Sequence, residues 1–219
     1  MRGRRAAIYG GTFDPVHNGH LKVARRVQKL FGLDEVIFIP ACVPPHKRSA
    51  GITSAFHRFA MLALATEDDE RLRVSTIELD QPDRPYAVDT VARMQERSGS
   101  DCRLFFVIGA DSWLEITSWH EWQKLLTMCD HIVMTRPGYE LNLTSTAPVT
   151  DLRGKGDDEV QAVVTESMSP RVFVTDAVFE DVSATAIRAA VRNENVNELA
   201  KMLPPPVADY IRKYELYRN

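Results

Sequence analysis

The sequence predicts an α/β fold, a doubly wound parallel sheet with helices on both faces, on three observations. Short apolar runs rich in β-forming residues recur at Ala6–Tyr9, Val36–Ile39, Leu72–Leu79, Leu104–Ile108, His131–Thr135 and Val172–Val174. Segments with helical spacing separate most of them, and strands alternating with helices make a parallel sheet whose right-handed crossovers cover both faces. A glycine pair, Gly10–Gly11, closes the first run just before the first helical segment. In folds of this kind that position presents the carboxyl end of a strand to ligands.

The first helix is expected over Leu21–Phe31, where Val23, Ala24, Val27, Leu30 and Phe31 repeat at helical spacing. Further helices are expected over Ala55–Ala65, Ala87–Arg97, Trp119–Met128, Thr185–Arg192 and Val207–Tyr217. The stretch Tyr139–Pro170 is polar and turn-rich, with Arg153, Gly154, Lys155, Gly156, Asp157 and Asp158 in succession, and reads as an excursion on the surface. The 219 residues make one domain, 1–219, with a C-terminal helical part from about residue 183.

Composition narrows the function classes. A hydrophobic fraction of 44% and a charged fraction of 26% are ordinary for a globular chain, and a net charge of -3 with no basic stripe argues against nucleic acid as partner. No run approaches the ~18 apolar residues of a membrane span. The basic start at Arg2, Arg4 and Arg5 is followed by too short an apolar stretch for a signal peptide, so no membrane association is expected. Cys42, Cys102 and Cys129 are odd in number and far apart, which suits buried thiols in a reducing cytoplasm rather than a disulfide framework or clustered zinc site.

The segment Gly10-Gly-Thr-Phe-Asp-Pro-Val-His-Asn-Gly-His20 carries the chemistry. Glycines permit a sharp turn and close approach of backbone to a ligand, and the following helix start offers N–H groups and partial positive charge to a phosphate. His17 and His20, three residues apart, fall on one helical face and can both donate to phosphate oxygens. A protein-held metal would need a third ligand. Asp14 is near but precedes a proline, where capping a turn is its simplest use, so no metal site is expected.

Gly11-Thr-Phe-Asp-Pro-x-His17-x-Gly19-His20 resembles the nucleotidyltransferase superfamily marked by His-x-Gly-His and, more narrowly, bacterial nicotinate-nucleotide adenylyltransferase. The resemblance continues in matching order through Pro44-Pro45-His46-Lys47, Asp89-Thr90, Gly109-Ala110-Asp111, Trp119, Arg136-Pro137-Gly138 and Val182-Ser183-Ala184-Thr185-Ala186-Ile187-Arg188. It implies a Rossmann-like fold and transfer of AMP from ATP to nicotinate mononucleotide, with release of pyrophosphate.

The resemblance also distributes roles. His17, His20, Lys47 and Arg188 are expected to be catalytic, and Gly10, Gly11, Thr12, Phe13, Gly19, Gly109, Asp111, Ser183 and Thr185 to bind ATP. Lys47, Thr90, Trp119 and Arg136 are expected to bind nicotinate mononucleotide. Bland readings stand beside these: Lys47 as a solvated lysine, Ser183 or Thr185 as a plain helix cap, Asp111 as the cap of the Ser112–Glu115 turn, Arg136 as a loop anchor and Trp122 as a core residue. Ala184 stands where the family has a second serine, which removes any contact made through that hydroxyl and spares contacts through backbone N–H groups.

The implied reaction is in-line attack of the mononucleotide phosphate on the α-phosphorus of ATP, with no protein nucleophile and with Mg²⁺ arriving on ATP. Nicotinamide mononucleotide or phosphopantetheine as acceptor, and a nucleotide sensor without turnover, are the alternatives. A homo-oligomer is compatible with the sequence.

Overall fold

The structure, a computed structural model, describes residues 3–42, 51–81, 85–135, 146–176 and 182–218. Seven strands form one parallel sheet: β1 Arg4–Gly11, β2 Glu35–Pro40, β3 Leu72–Val74, β4 Cys102–Gly109, β5 Asp130–Met134, β6 Val149–Asp151 and β7 Val172–Thr175, in spatial order β3-β2-β1-β4-β5-β7-β6. The chain winds outward from β1 through β2 to β3, then returns to lay β4 on the other side of β1. The strand order therefore reverses between β1 and β4.

Nine helices complete the described fold: α1 Asn18–Leu30, α2 Ala55–Thr66, α3 Ala87–Ser98, α4 Ala110–Leu114, α5 Trp122–Met128, α6 Asp157–Glu166, α7 Ala184–Arg192, α8 Val196–Met202 and α9 Pro205–Lys213. Alternate residues of the strands face two cores, which explains why the strands read as continuous apolar runs. Ala7, Phe38, Phe105, Val107, Ile132 and Phe173 pack with α1, α2, α6 and α7–α9, whereas Ala6, Ile8, Phe106, Ile108, Val133 and Val174 pack with α3, α4 and α5.

Four expectations are corrected. The stretch 139–170 is no surface excursion where it is described. It supplies the edge strand β6 and the helix α6, whose Val160 and Val164 are fully buried with Leu152. Gln161 on α6 donates to the Lys29 carbonyl oxygen over 3.0 Å, and Arg26 pairs with Asp157, so α6 is fastened to α1. The third strand stops at Val74, because residues 77–80 turn back on the Thr76 carbonyl. The helix expected from Trp119 begins at Trp122: residues 116–118 form a 3₁₀ turn and Glu121 takes a left-handed conformation, φ 48°. Only Cys129 is buried, Cys42 and Cys102 being partly exposed.

Candidate active site

Gly11 ends β1 and Gly109 ends β4, neighbouring strands paired in register up to Tyr9 opposite Val107. The crevice at the reversal of strand order thus lies between the loop 12–17 and the start of α4. Two different constraints act on the loop glycines. A Cβ on Gly11 would lie 2.8 Å from Phe13 Cζ, whereas a Cβ on Gly109 would meet nothing within 4 Å. Gly11 is required by its own loop. Phe13, held at φ 49° and buried, turns its ring beneath the motif, edge-on to Phe38 (centroids 5.5 Å) and to His20 (5.0 Å).

His17 is the extended N-cap of α1 and His20 its third residue. Their imidazoles stack, with centroids 3.7 Å apart and planes at 28°. The His17 backbone N–H donates to His20 Nδ1 over 3.3 Å. A ring nitrogen that accepts carries no proton, so neutral His20 holds its proton on Nε2 and is a donor there. Burial lowers the His17 pKa to about 4; burial and then the charge of His17 hold His20 well below the usual histidine value. Both rings are neutral at pH 7. His17 Nδ1 is buried without a hydrogen-bond partner, an atom available to polar ligand groups once the site fills.

The other helix start expected to face phosphate groups is that of α7. Ser183 caps it, its hydroxyl accepting from the Ala186 N–H over 3.2 Å. One turn in, Arg188 donates from Nη1 to the Asp14 carbonyl oxygen over 2.6 Å and from Nη2 to Thr185 Oγ1 over 3.2 Å. The Arg188–Asp14 bond therefore ties the start of α7, with Ser183 and Thr185, to the loop that ends at His17, although 174 residues separate Asp14 from Arg188 in the chain.

Other expected residues sit differently. Gly109 is the N-cap of α4, and Asp111 lies exposed in its first turn rather than capping it. Thr90 is buried and its hydroxyl is committed, donating to Glu78 Oε1 over 2.8 Å. Trp119 packs its ring on Phe106 with a buried, unpartnered indole N–H, and Trp122 is half-buried against the same core. Lys47 and Arg136 lie outside the described residues, as do Pro44, Pro45, His46, Pro137 and Gly138.

Two residues organise this end of the sheet, Arg58, which reading the sequence missed, and Asp14, which it assigned to a turn. Arg58, 1% exposed, donates to the carbonyl oxygens of Thr12 (2.7 Å), Ala41 (2.6 Å), Cys42 (3.3 Å) and Thr53 (3.0 Å), tying the motif loop to the end of β2 and the entry of α2. A cation at 58, with Met61 and Leu62 on the same helical face, was the available signal. Asp14, expected to cap a turn, is used otherwise: its carbonyl oxygen accepts from Arg188, and its carboxylate accepts from the Tyr217 hydroxyl over 2.7 Å and from the Thr53 N–H over 3.4 Å.

Fold and crevice place the chain in the class of doubly wound α/β proteins that bind ligands at the carboxyl ends of adjoining β1 and β4. The model of the cytidylyltransferase-like family matches residues 8–190. A probable nicotinate-nucleotide adenylyltransferase of Moorella thermoacetica is 37% identical over 98% of this chain and 92% of its own length, and one of Pectobacterium atrosepticum 36% identical over 97% and 98%. The chain belongs to the cytidylyltransferase-like family and, within it, to the bacterial nicotinate-nucleotide adenylyltransferases. A solved Plasmodium falciparum nicotinic acid mononucleotide adenylyltransferase, complexed with NaAD, shares the fold at TM-score 0.73 and 20% identity, covering 98% of this chain and 97% of that one. Among the described residues no helix is long and apolar enough to cross a membrane, and no group of three or more His, Cys, Asp or Glu is arranged to hold a metal ion.

Proposed function

We propose that the protein transfers AMP from ATP to nicotinate mononucleotide, forming nicotinate adenine dinucleotide and pyrophosphate in NAD biosynthesis. The observation that carries this reading is the bond from Arg188 of α7 to the Asp14 carbonyl oxygen, in the loop that leads into the stacked His17–His20 pair at the start of α1, in a chain alike over nearly its whole length to enzymes bearing that name.

The chemistry asks for placement and charge stabilisation. The acceptor's phosphate oxygen attacks the α-phosphorus of ATP in line, the bond to the β-phosphate oxygen breaks, and pyrophosphate leaves. Neutral His20 donates from Nε2, and the first turn of α1 adds N–H groups to the growing negative charge without reorganisation. Arg188 and the capped start of α7 serve the departing phosphates, with Gly10, Thr12, Gly19 and Gly109 lining the nucleotide's path. Asp111, exposed beside Gly109, accepts from a ribose hydroxyl. Lys47, Arg136 and Trp119 serve the acceptor, Trp119 by stacking on the pyridine ring. Thr90 acts there through Glu78 and not by direct contact. Mg²⁺ enters with ATP as part of the substrate, and the free thiols suit a cytoplasmic setting.

Pyrophosphate release, measured with Mg²⁺ and ATP against nicotinate mononucleotide, nicotinamide mononucleotide and phosphopantetheine in parallel, tests the reading. Fast release with nicotinate mononucleotide is expected. Preference for another acceptor overturns the substrate, and ATP binding without release under any condition favours a sensor.

A further inference from the structure

The C-terminal part of the chain grips the motif at three points, two on the loop and one at the first residue of α1. Arg188 of α7 donates to the Asp14 carbonyl oxygen over 2.6 Å, Asn18 Nδ2 donates to the Lys201 carbonyl oxygen of α8 over 3.0 Å, and the Tyr217 hydroxyl, beyond α9, donates to Asp14 Oδ1 over 2.7 Å. Asp14 is 4% exposed and stands three residues before His17. A buried carboxylate is tolerated only where donors surround it, and here the donors come from Thr53 and Tyr217, with the Arg58 guanidinium nearby. The ring of Tyr217 packs against the core that contains Phe13 and Val16, and its backbone takes a left-handed conformation, φ 65°, at a residue type that rarely adopts one.

We propose that Tyr217 is a positioning residue for adenylyl transfer: by holding the Asp14 carboxylate, it fixes the loop whose carbonyl holds Arg188 and whose end carries the His17–His20 pair. Asp14 thus sets the distance between the two helix starts expected to face phosphate groups, one near the start of the chain and the other near its end. Tyr217 itself touches no substrate. Its effect falls on the alignment of donors during the reaction rather than on the affinity of either substrate, because misplacement of a reacting geometry by fractions of an ångström costs rate before it costs binding.

The inference rests on the adenylyl-transfer reading and is tested with Tyr217→Phe, which removes one hydroxyl. We expect kcat to fall about tenfold, with KM for ATP and nicotinate mononucleotide within about twofold of wild type. Arg188→Ala should cost less in the Tyr217→Phe background than alone, since Arg188 is already misplaced once the Asp14 loop that holds it is loosened. Tyr210→Phe, which breaks a 2.8 Å contact between α9 and His57 away from the motif, should leave kcat unchanged. A lowered melting temperature with wild-type kcat in Tyr217→Phe, or effects of Tyr217→Phe and Arg188→Ala that simply multiply, would overturn the proposal. Should Tyr217→Phe not fold, Asp14→Ala breaks the same bond from the other side, and a folded Asp14→Ala enzyme with wild-type kcat overturns it equally. Wild-type pyrophosphate release is recorded alongside. If it is absent, the activity reading fails by itself, and the proposal is judged on the His17 and His20 imidazole resonances: Tyr217→Phe is expected to move them and Tyr210→Phe to leave them, and unmoved resonances in Tyr217→Phe overturn it.

Discussion

His17 and His20 stack ring on ring with centroids 3.7 Å apart, and the backbone N–H of the first donates to Nδ1 of the second. The contact settles which nitrogen of His20 bears the proton and holds the ring flat against its neighbour. Two imidazoles so close are both neutral at pH 7, burial being the main cause, and His20 therefore acts through an N–H bond and not through a full charge.

Replacing His20 by Ala removes a preorganised donor. Turnover is expected to fall on the order of 10²-fold or more, with the protein still folded by circular dichroism. Near-normal turnover in a folded His20→Ala variant would remove His20 from the mechanism.

Three histidines make the fold sensitive to acid. His131 is fully buried, and burial lowers its pKa to about 4, as for His17, with His20 also depressed. Below pH 6.5 the unfolded chain takes up protons that the folded chain refuses until about pH 4, so stability is complete above pH 6.5 and falls as pH drops through that window. Each of His17 and His131 contributes a loss of order 3 kcal/mol across it. Denaturant titrations from pH 7 to pH 4 should show the decline, and His131→Gln should flatten it.

The two crevice glycines separate packing from ligand approach. Gly11→Ala drives a methyl into the Phe13 ring and should cost about 1–3 kcal/mol of stability together with activity. Gly109→Ala meets open space at φ -74° and should leave stability within about 0.5 kcal/mol. Any loss of turnover there reports a nucleotide passing close to the backbone. Thermal melts read beside kinetics distinguish the two.

Arg58→Met strands four carbonyl oxygens that one guanidinium now satisfies. Destabilisation of about 3 kcal/mol or more is expected, measurable as a lower denaturant midpoint. A midpoint within experimental scatter of wild type would mean that the carbonyls find water instead.

The sheet was legible because strands buried on both faces, such as Leu104–Ile108, advertise themselves as unbroken apolar runs. β6 and α6 were hidden for opposite reasons: β6 is a three-residue edge strand, and the acidic start of α6 masks the Val160–Val164 stripe. The motif pointed to the turn between β1 and α1 that the structure shows, since spacing within one turn is local information. What spacing cannot carry is long-range pairing. Nothing near Asp14 in the chain announces Tyr217, 203 residues away, and nothing near Thr90 announces that Glu78 takes its hydroxyl. The roles of Gly11 and Phe13 likewise needed coordinates, because a glycine that makes room for a neighbouring ring looks in sequence like one that makes room for a ligand.

The central claim is direct adenylyl transfer to a nicotinate acceptor, and the most direct test follows the α-phosphorus. Incubated with α-³²P-labelled ATP, Mg²⁺ and nicotinate mononucleotide, then quenched in acid, the enzyme should deliver the label to nicotinate adenine dinucleotide, with none on the protein and one pyrophosphate released per dinucleotide. Label bound covalently to the protein, or recovered as free AMP without dinucleotide, would contradict the account.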